Sequence, residues 1–142
     1  MIRAFQPPDL AGVAEIWLDT NISAHDFIPA QYWRDNFDGV KEQLLQAELY
    51  VDEDEDTRQI QGFIGLSGDY IAGIFIRGGA QSRGIGKRLL DFVKDRREEL
   101  ALHVYQKNTR AVKFYRREGF IIHGENVDKN TGEAEYSMIW KR

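Results

Sequence analysis

Apolar residues recur along this chain with two different periods, and the switches between them outline its elements. Ile2 to Phe5 predicts a short first strand, closed by Pro7-Pro8. Leu10, Val13, Ala14 and Trp17 then follow at the spacing of a buried helical stripe. Asp9 falls in the first turn, where a carboxylate suits the helix dipole. A break is expected from Asn21 to Pro29, then one helix whose stripe of Trp33, Phe37, Val40 and Leu44 falls at offsets of four, seven and eleven. From Leu49 the pattern becomes strand-like: Leu49 to Asp52, Ile60 to Leu66 and Tyr70 to Arg77. The acidic run Asp52-Glu53-Asp54-Glu55-Asp56 reads as a solvated hairpin turn and Ser67-Gly68-Asp69 as a second turn. Helical spacing returns with Ile85, Leu89, Phe92 and Val93. Leu100 to Tyr105 is a fifth strand, and Thr109 to Glu118 a short helix stopped by Gly119. Phe120 to Val127 and Glu135 to Trp140 complete the set across Asn130-Thr131-Gly132. About seven strands and about four helices, with no repeat or linker, predict one α/β domain over residues 1–142.

Composition narrows the chemistry. With 142 residues and 42% hydrophobic content the chain can bury a core of its own. Cysteine is absent, which excludes disulfides, a thiolate nucleophile and a thiolate metal site and suits a cytoplasmic protein. The three histidines have no metal-ligand spacing, so no metal is expected. No secretion signal is expected, and no apolar run approaches the roughly 20 residues of a membrane span. A net charge of −4 argues against nucleic acid as the main partner. Positive charge is local instead: Arg77, Arg83, Lys87 and Arg88 crowd around one glycine-rich segment.

That segment, Gly78 to Lys87, joins a predicted strand to a predicted helix. A helix start leaves main-chain N–H groups without partners, and glycine lets the backbone approach an anion closely, which together make a phosphate site. The P-loop pattern fails, because Gln81 stands where its first glycine belongs and Arg88 where it needs Ser or Thr. The dinucleotide pattern fails at its third glycine, where Leu89 stands. What remains is Q-x-x-G-x-G, formed by Gln81, Ser82, Arg83, Gly84, Ile85 and Gly86, with Lys87 following. The bland reading is a glycine-rich turn decorated by basic residues.

Gln81-Ser82-Arg83-Gly84-Ile85-Gly86 resembles the coenzyme signature of the GCN5-related N-acetyltransferases (GNAT). Asn108, Ala111, Phe114-Tyr115 and Gly119-Phe120 match that family's second motif, and the element order agrees along the chain. The stretches His25 to Ile28, Tyr32 to Asp35 and Val104 to Asn108 are similar to small bacterial protein-lysine N-acetyltransferases. The resemblance implies a mixed, mostly antiparallel sheet whose fourth and fifth strands splay apart around the pantetheine arm of acetyl-CoA. Main-chain groups of Ile74, Phe75 and Ile76 would pair with that arm, and Asn108 would hold one of its amides. The activity implied is acetyl transfer to a primary amine on a protein lysine, a protein N-terminus or a small molecule, by a monomer or homodimer. The alternative is a CoA-binding module of the same fold without efficient turnover.

Such a transfer needs a neutral amine, a stabilised carbonyl oxygen and a protonated leaving sulfur. Read from the residues alone, Tyr115 is better taken as a core aromatic beside Phe114; the resemblance implies the last task for it, proton donation to the sulfur. No base is assigned. Many relatives carry a carboxylate near Ala72, which cannot accept a proton; His103 and His25 are substitutes, each also readable as structural. His25, Asp26 and Phe27, with His103, are the candidates for the acceptor site, a carboxylate among aromatics being suited to a cationic amine. Trp33 is better read as core.

Overall fold

The computed structural model describes residues 1–142 and contains one seven-stranded sheet with strand order β1-β2-β3-β4-β5-β7-β6. Its strands are β1 (Ile2–Ala4), β2 (Glu48–Glu53), β3 (Ile60–Ser67), β4 (Tyr70–Ile76), β5 (Glu99–Tyr105), β6 (Ile121–Val127) and β7 (Ala134–Lys141). Every neighbouring pair is antiparallel except β4 and β5. The helices α1 (Leu10–Ala24), α2 (Ala30–Asp35) and α3 (Phe37–Gln46) precede β2, while α4 (Ile85–Lys94) and α5 (Thr109–Arg117) flank β5 in sequence.

Two cores follow from alternation along the strands. Ile64, Leu66, Ile71, Leu100, Leu102, Val104 and Met138 pack beneath α4 and α5. Leu49, Val51 and Phe63 pack against Val13, Ala14 and Ile16 of α1 on the other face. The central β3 is therefore buried on both faces and reads as a continuous apolar run.

Three expectations change. α1 continues one turn past Asn21, because the buried Asn21 side chain donates to the Trp17 carbonyl at 2.9 Å rather than breaking the ladder. The second helix divides at Asn36, giving five helices rather than four. Asn36 leaves ideal helical geometry (φ −92°, ψ −2°), and its amide donates back to the Tyr32 carbonyl at 2.7 Å, a local bond that competes with the helix. Nor is the acidic run all turn: Asp52 and Glu53 are 3% and 8% exposed inside β2. Arg88 reaches Asp52 at 3.1 Å and Arg3 reaches Glu53 at 2.7 Å. Only Asp54 to Asp56 turn outside the strand.

One irregularity positions the site. β4 and β5 pair only at Tyr70–Ala101 and Ile71–Leu102, then diverge. At that vertex β4 carries a bulge: Leu66 faces Ile71 and Gly65 faces Gly73, leaving Ala72 unpaired.

Candidate active site

The glycine segment lies between β4 and α4. It leaves β4 through a short 3-10 turn at Gly78–Ala80, and Gly84 adopts the left-handed conformation (φ 77°) immediately before α4. A side chain costs about 1–2 kcal/mol in that region, which is why glycine stands there. No side chain caps α4. None of the main-chain N–H groups from Gln81 to Lys87 bonds to another group of the chain; the helical ladder begins with Arg88 N–H donating to the Gly84 carbonyl at 3.0 Å. These amides and the positive end of the dipole together fit an anion.

The surrounding cations divide differently from the sequence reading. Lys87 is committed to Asp91 at 3.0 Å and Glu118 at 3.2 Å, so its charge is already matched. Arg77 turns away to Glu15 and the Ile60 carbonyl. Arg88 braces the loop, donating to the Arg83 carbonyl and to Asp52. The Arg83 guanidinium, exposed, bonds to nothing in the chain. Sequence reasoning missed Arg110, which reaches over from α5 to Gln81 Oε1 at 3.1 Å and Ser82 Oγ at 3.2 Å. Its only sequence signal is a place two residues after Asn108.

The split offers one free strand edge. Arg77 N–H donates to the Gln61 carbonyl at 2.8 Å. Alternation in an antiparallel ladder then directs the main-chain groups of Phe75 to Phe63 and those of Ile74 and Ile76 toward the split. Phe75 therefore has no free main-chain group for a ligand, contrary to expectation. Its ring instead stacks on Phe63 at 4.9 Å and lies so close over Gly73 that a β-carbon there would meet it at 2.4 Å. The Ile76 carbonyl accepts from the Gln81 side chain at 3.4 Å, which folds the loop back over the end of β4.

α5 holds Tyr115 in the core beneath the sheet. The helix ends in a Schellman motif: Phe120 N–H donates to the Tyr115 carbonyl at 2.9 Å and Gly119 N–H to the Arg116 carbonyl at 3.1 Å, with Gly119 at φ 94°. The rings of Phe120 and Phe114 stand 5.6 and 5.3 Å from that of Tyr115. Burial pushes the Tyr115 phenol above its ordinary pKa, and the charge of the nearby Tyr70 phenol adds to the shift.

Asn108 caps α5, its Oδ1 accepting from Ala111 N–H at 3.3 Å. Its Nδ2 meets His25 Nε2 at 3.1 Å, so His25 Nε2 is the acceptor and its proton sits on Nδ1. That Nδ1 is buried without a hydrogen-bond partner. Burial lowers the His25 pKa, and the nearby Asn21 carbonyl opposes the shift without reaching bonding geometry. Trp33 stacks on His25 at 5.4 Å, with Phe27 and Tyr105 edge-on at 5.6 and 5.1 Å. Tyr105 donates to Asp128 at 2.6 Å, tying this aromatic group to the β6–β7 turn. Phe27 is half-buried there, whereas Asp26 is exposed and stands outside the ring cluster's contacts. His103 is exposed on β5, and its Nδ1 meets the Tyr70 hydroxyl at 3.2 Å. The pair Tyr70–His103 was not anticipated, because Tyr70 reads as an ordinary strand aromatic. Surface hollows lie beside the β3–β4 turn and between α1 and α3. No group of His, Asp and Glu is arranged to hold a metal, and no helix is long and apolar enough to cross a membrane.

A seven-stranded mixed sheet opened between two parallel strands, with an uncapped helix start beside it, defines an acetyltransferase architecture. The family model described as Acetyltransferase (GNAT) domain matches residues 10–135, and the chain belongs to this family. It is similar to the peptidyl-lysine N-acetyltransferase YiaC of Escherichia coli strain K12, at 39% identity over 142 residues, 99% of this chain and 96% of YiaC. The solution structure of apo-form YjaB from Escherichia coli matches with a TM-score of 0.88 and 28% identity, covering 99% of this chain and 96% of that one. The PaiA N-acetyltransferase of Thermoplasma acidophilum, solved in complex with coenzyme A, shares the fold with a TM-score of 0.83 at 19% identity, covering 100% and 98% of the two chains. The chain is an acetyltransferase.

Proposed function

We propose that this acetyltransferase moves the acetyl group of acetyl-CoA to a primary amine, with the side-chain amine of a protein lysine as the foremost acceptor, by direct attack in a ternary complex. The observation that carries the reading is the run of unbonded amides from Gln81 to Lys87 at the start of α4. Acetyl-CoA supplies an activated thioester and a diphosphate handle. The amides would hold the diphosphate, with Arg83 and Arg110 adding charge. The free edge of β4 at Ile74 and Ile76 would pair with the amide-bearing pantetheine arm as an added strand would. Asn108 keeps a second Nδ2 hydrogen for a carbonyl of that arm. The acceptor class is supported by the name of YiaC.

Tyr115 is the proton donor to the leaving sulfur. Its raised pKa keeps it protonated through the neutral range. The apolar surroundings that hold it neutral also make a thiolate costly there, so the proton moves as charge builds on sulfur.

The test is acetylation of lysine peptides, followed by mass spectrometry and thiol release. Tyr115→Phe is expected to lower kcat by about 100-fold, the lower end for loss of a general acid, while CoA affinity stays near wild type. Equal loss of turnover and affinity would place Tyr115 in packing. CoA binding without product, across lysine peptides, N-terminal peptides and small amines, would make the chain a CoA-binding module.

A further inference from the structure

We propose that Tyr70 and His103 together form the proton-accepting pair for the acceptor amine, taking the place of a carboxylate that β4 does not have. The proposal rests on the acetyl-transfer reading above and adds to it the group that makes the amine a nucleophile.

β4 and β5 part immediately beyond Tyr70–Ala101 and Ile71–Leu102. His103 is therefore the first β5 side chain past that vertex on the Ala101 face, and the unpaired Ala72 is the first β4 residue past it. Leu102 and Val104 point into the core beneath α5, so His103 between them points to the opposite face. The Tyr70 hydroxyl reaches His103 Nδ1 at 3.2 Å, with ring centroids 5.5 Å apart, so the pair closes the narrow end of the split. Tyr115 lies in the core on the α5 face of the sheet, where burial and then the charge of Tyr70 raise its pKa.

Tyr70 is the one ionisable side chain on β4. On β5, Tyr105 is bound to Asp128, and Glu99 lies at the far end of the strand. His25 is neutral, gives its Nε2 to Asn108 and keeps its Nδ1 sealed. His103 alone has one ring nitrogen on a phenol and the other, Nε2, free of any partner. The groups facing the pair on that side of the sheet are Ser137 and Glu135 from β7. Ser137 is opposite His103, and Glu135 is close enough for its charge to act on Tyr70.

The incoming ammonium gives one proton to the Tyr70 oxygen as the Tyr70 hydroxyl proton passes to His103 Nδ1. The imidazolium then releases a proton to solvent. The amine lone pair forms the C–N bond to the thioester carbon. The C–S bond breaks with its electron pair on sulfur, which takes the Tyr115 proton. The second nitrogen proton, lost as the amide forms, restores Tyr115. The sum is amide, thiol and one released proton.

The experiment measures kcat/KM for a lysine peptide from about pH 6 to 10, spanning the ordinary histidine and lysine values, with His103→Gln, Tyr70→Phe and the double variant. His103→Gln is expected to lose about 100-fold near pH 7 and to recover as the pH approaches the lysine pKa, where the amine arrives neutral. The double variant should be no worse than the poorer single variant, as for residues acting as a unit. A His103→Gln profile parallel to wild type, or losses that multiply, overturns the pair. In parallel, NMR titration of the His103 ring should give a different midpoint in Tyr70→Phe than in wild type; an unchanged midpoint also overturns it. If the wild-type enzyme binds CoA but acetylates no amine, the acetyl-transfer reading fails, and the NMR titration still decides whether the pair exists.

Discussion

Helices α4 and α5 both begin beside the split, and they begin in opposite ways. α5 starts from Asn108, whose Oδ1 accepts the Ala111 amide and whose Nδ2 is held by His25. α4 starts from a left-handed glycine with no side-chain cap, and the amides before and within its first turn bond to nothing. Burying or capping helix ends is the rule, and an uncapped start forgoes about 1 kcal/mol. The two starts therefore separate two duties. The sealed one carries Tyr115 and borders the aromatic group around His25; the open one leaves its amides available to a ligand.

The sharpest way to break this contrast is Gly84→Val. A branched side chain at φ 77° would force the turn out of its conformation, although its β-carbon has only an ordinary 3.7 Å contact with Arg88. CoA affinity measured by calorimetry should fall by about 100-fold or more, of the order of the interaction of a charged group with several amides, while the circular dichroism spectrum is retained. Next, Arg110→Ala removes a cation from the open start without touching its backbone. CoA affinity should fall about tenfold, the loss of one charge-assisted hydrogen bond, and depend less on salt concentration. At the sealed start the effect moves to stability: Asn108→Ala should cost about 1 kcal/mol for the cap, read as a Tm lower by several degrees. The smallest effect is a pH dependence. The folded His25 pKa lies below its unfolded value, about 6.5, so acid favours the unfolded state. Stability should be full above that pH and decline as pH falls toward the folded value, and this part of the decline should vanish in His25→Gln.

The sequence disclosed the elements far better than their partners. Periodicity placed every strand and the start of α4: α4 and most of the strands bury a face, and β3 both, whereas the apolar residues that marked β6 stand exposed at the sheet edge. It missed the division at Asn36, where a side-chain bond rather than a hydrophobic change interrupts the helix. The acidic run was read as solvated because Asp52 and Glu53 adjoin three more acids, whereas their partners Arg88 and Arg3 are 36 and 50 residues away. The glycine motif was visible as a pattern, but which cation serves it was not. Lys87 is adjacent in sequence and bound elsewhere; Arg110 is distant and reaches the loop. Phe75 and Ile76 are neighbours with opposite main-chain directions, a distinction made by the ladder register and the bulge at Ala72. Tyr70 and His103 are 33 residues apart and carry no joint motif, so only the parallel pairing of β4 with β5 unites them.

The central claim is tested most directly by amide chemical-shift mapping during titration with CoA. The N–H signals of Gln81 to Lys87 should move together as hydrogen bonds form and become protected from exchange, while that of Ala111, already capped, stays nearly fixed. Unmoved amides from Gln81 to Lys87, with the main changes at the start of α5 instead, would contradict the account.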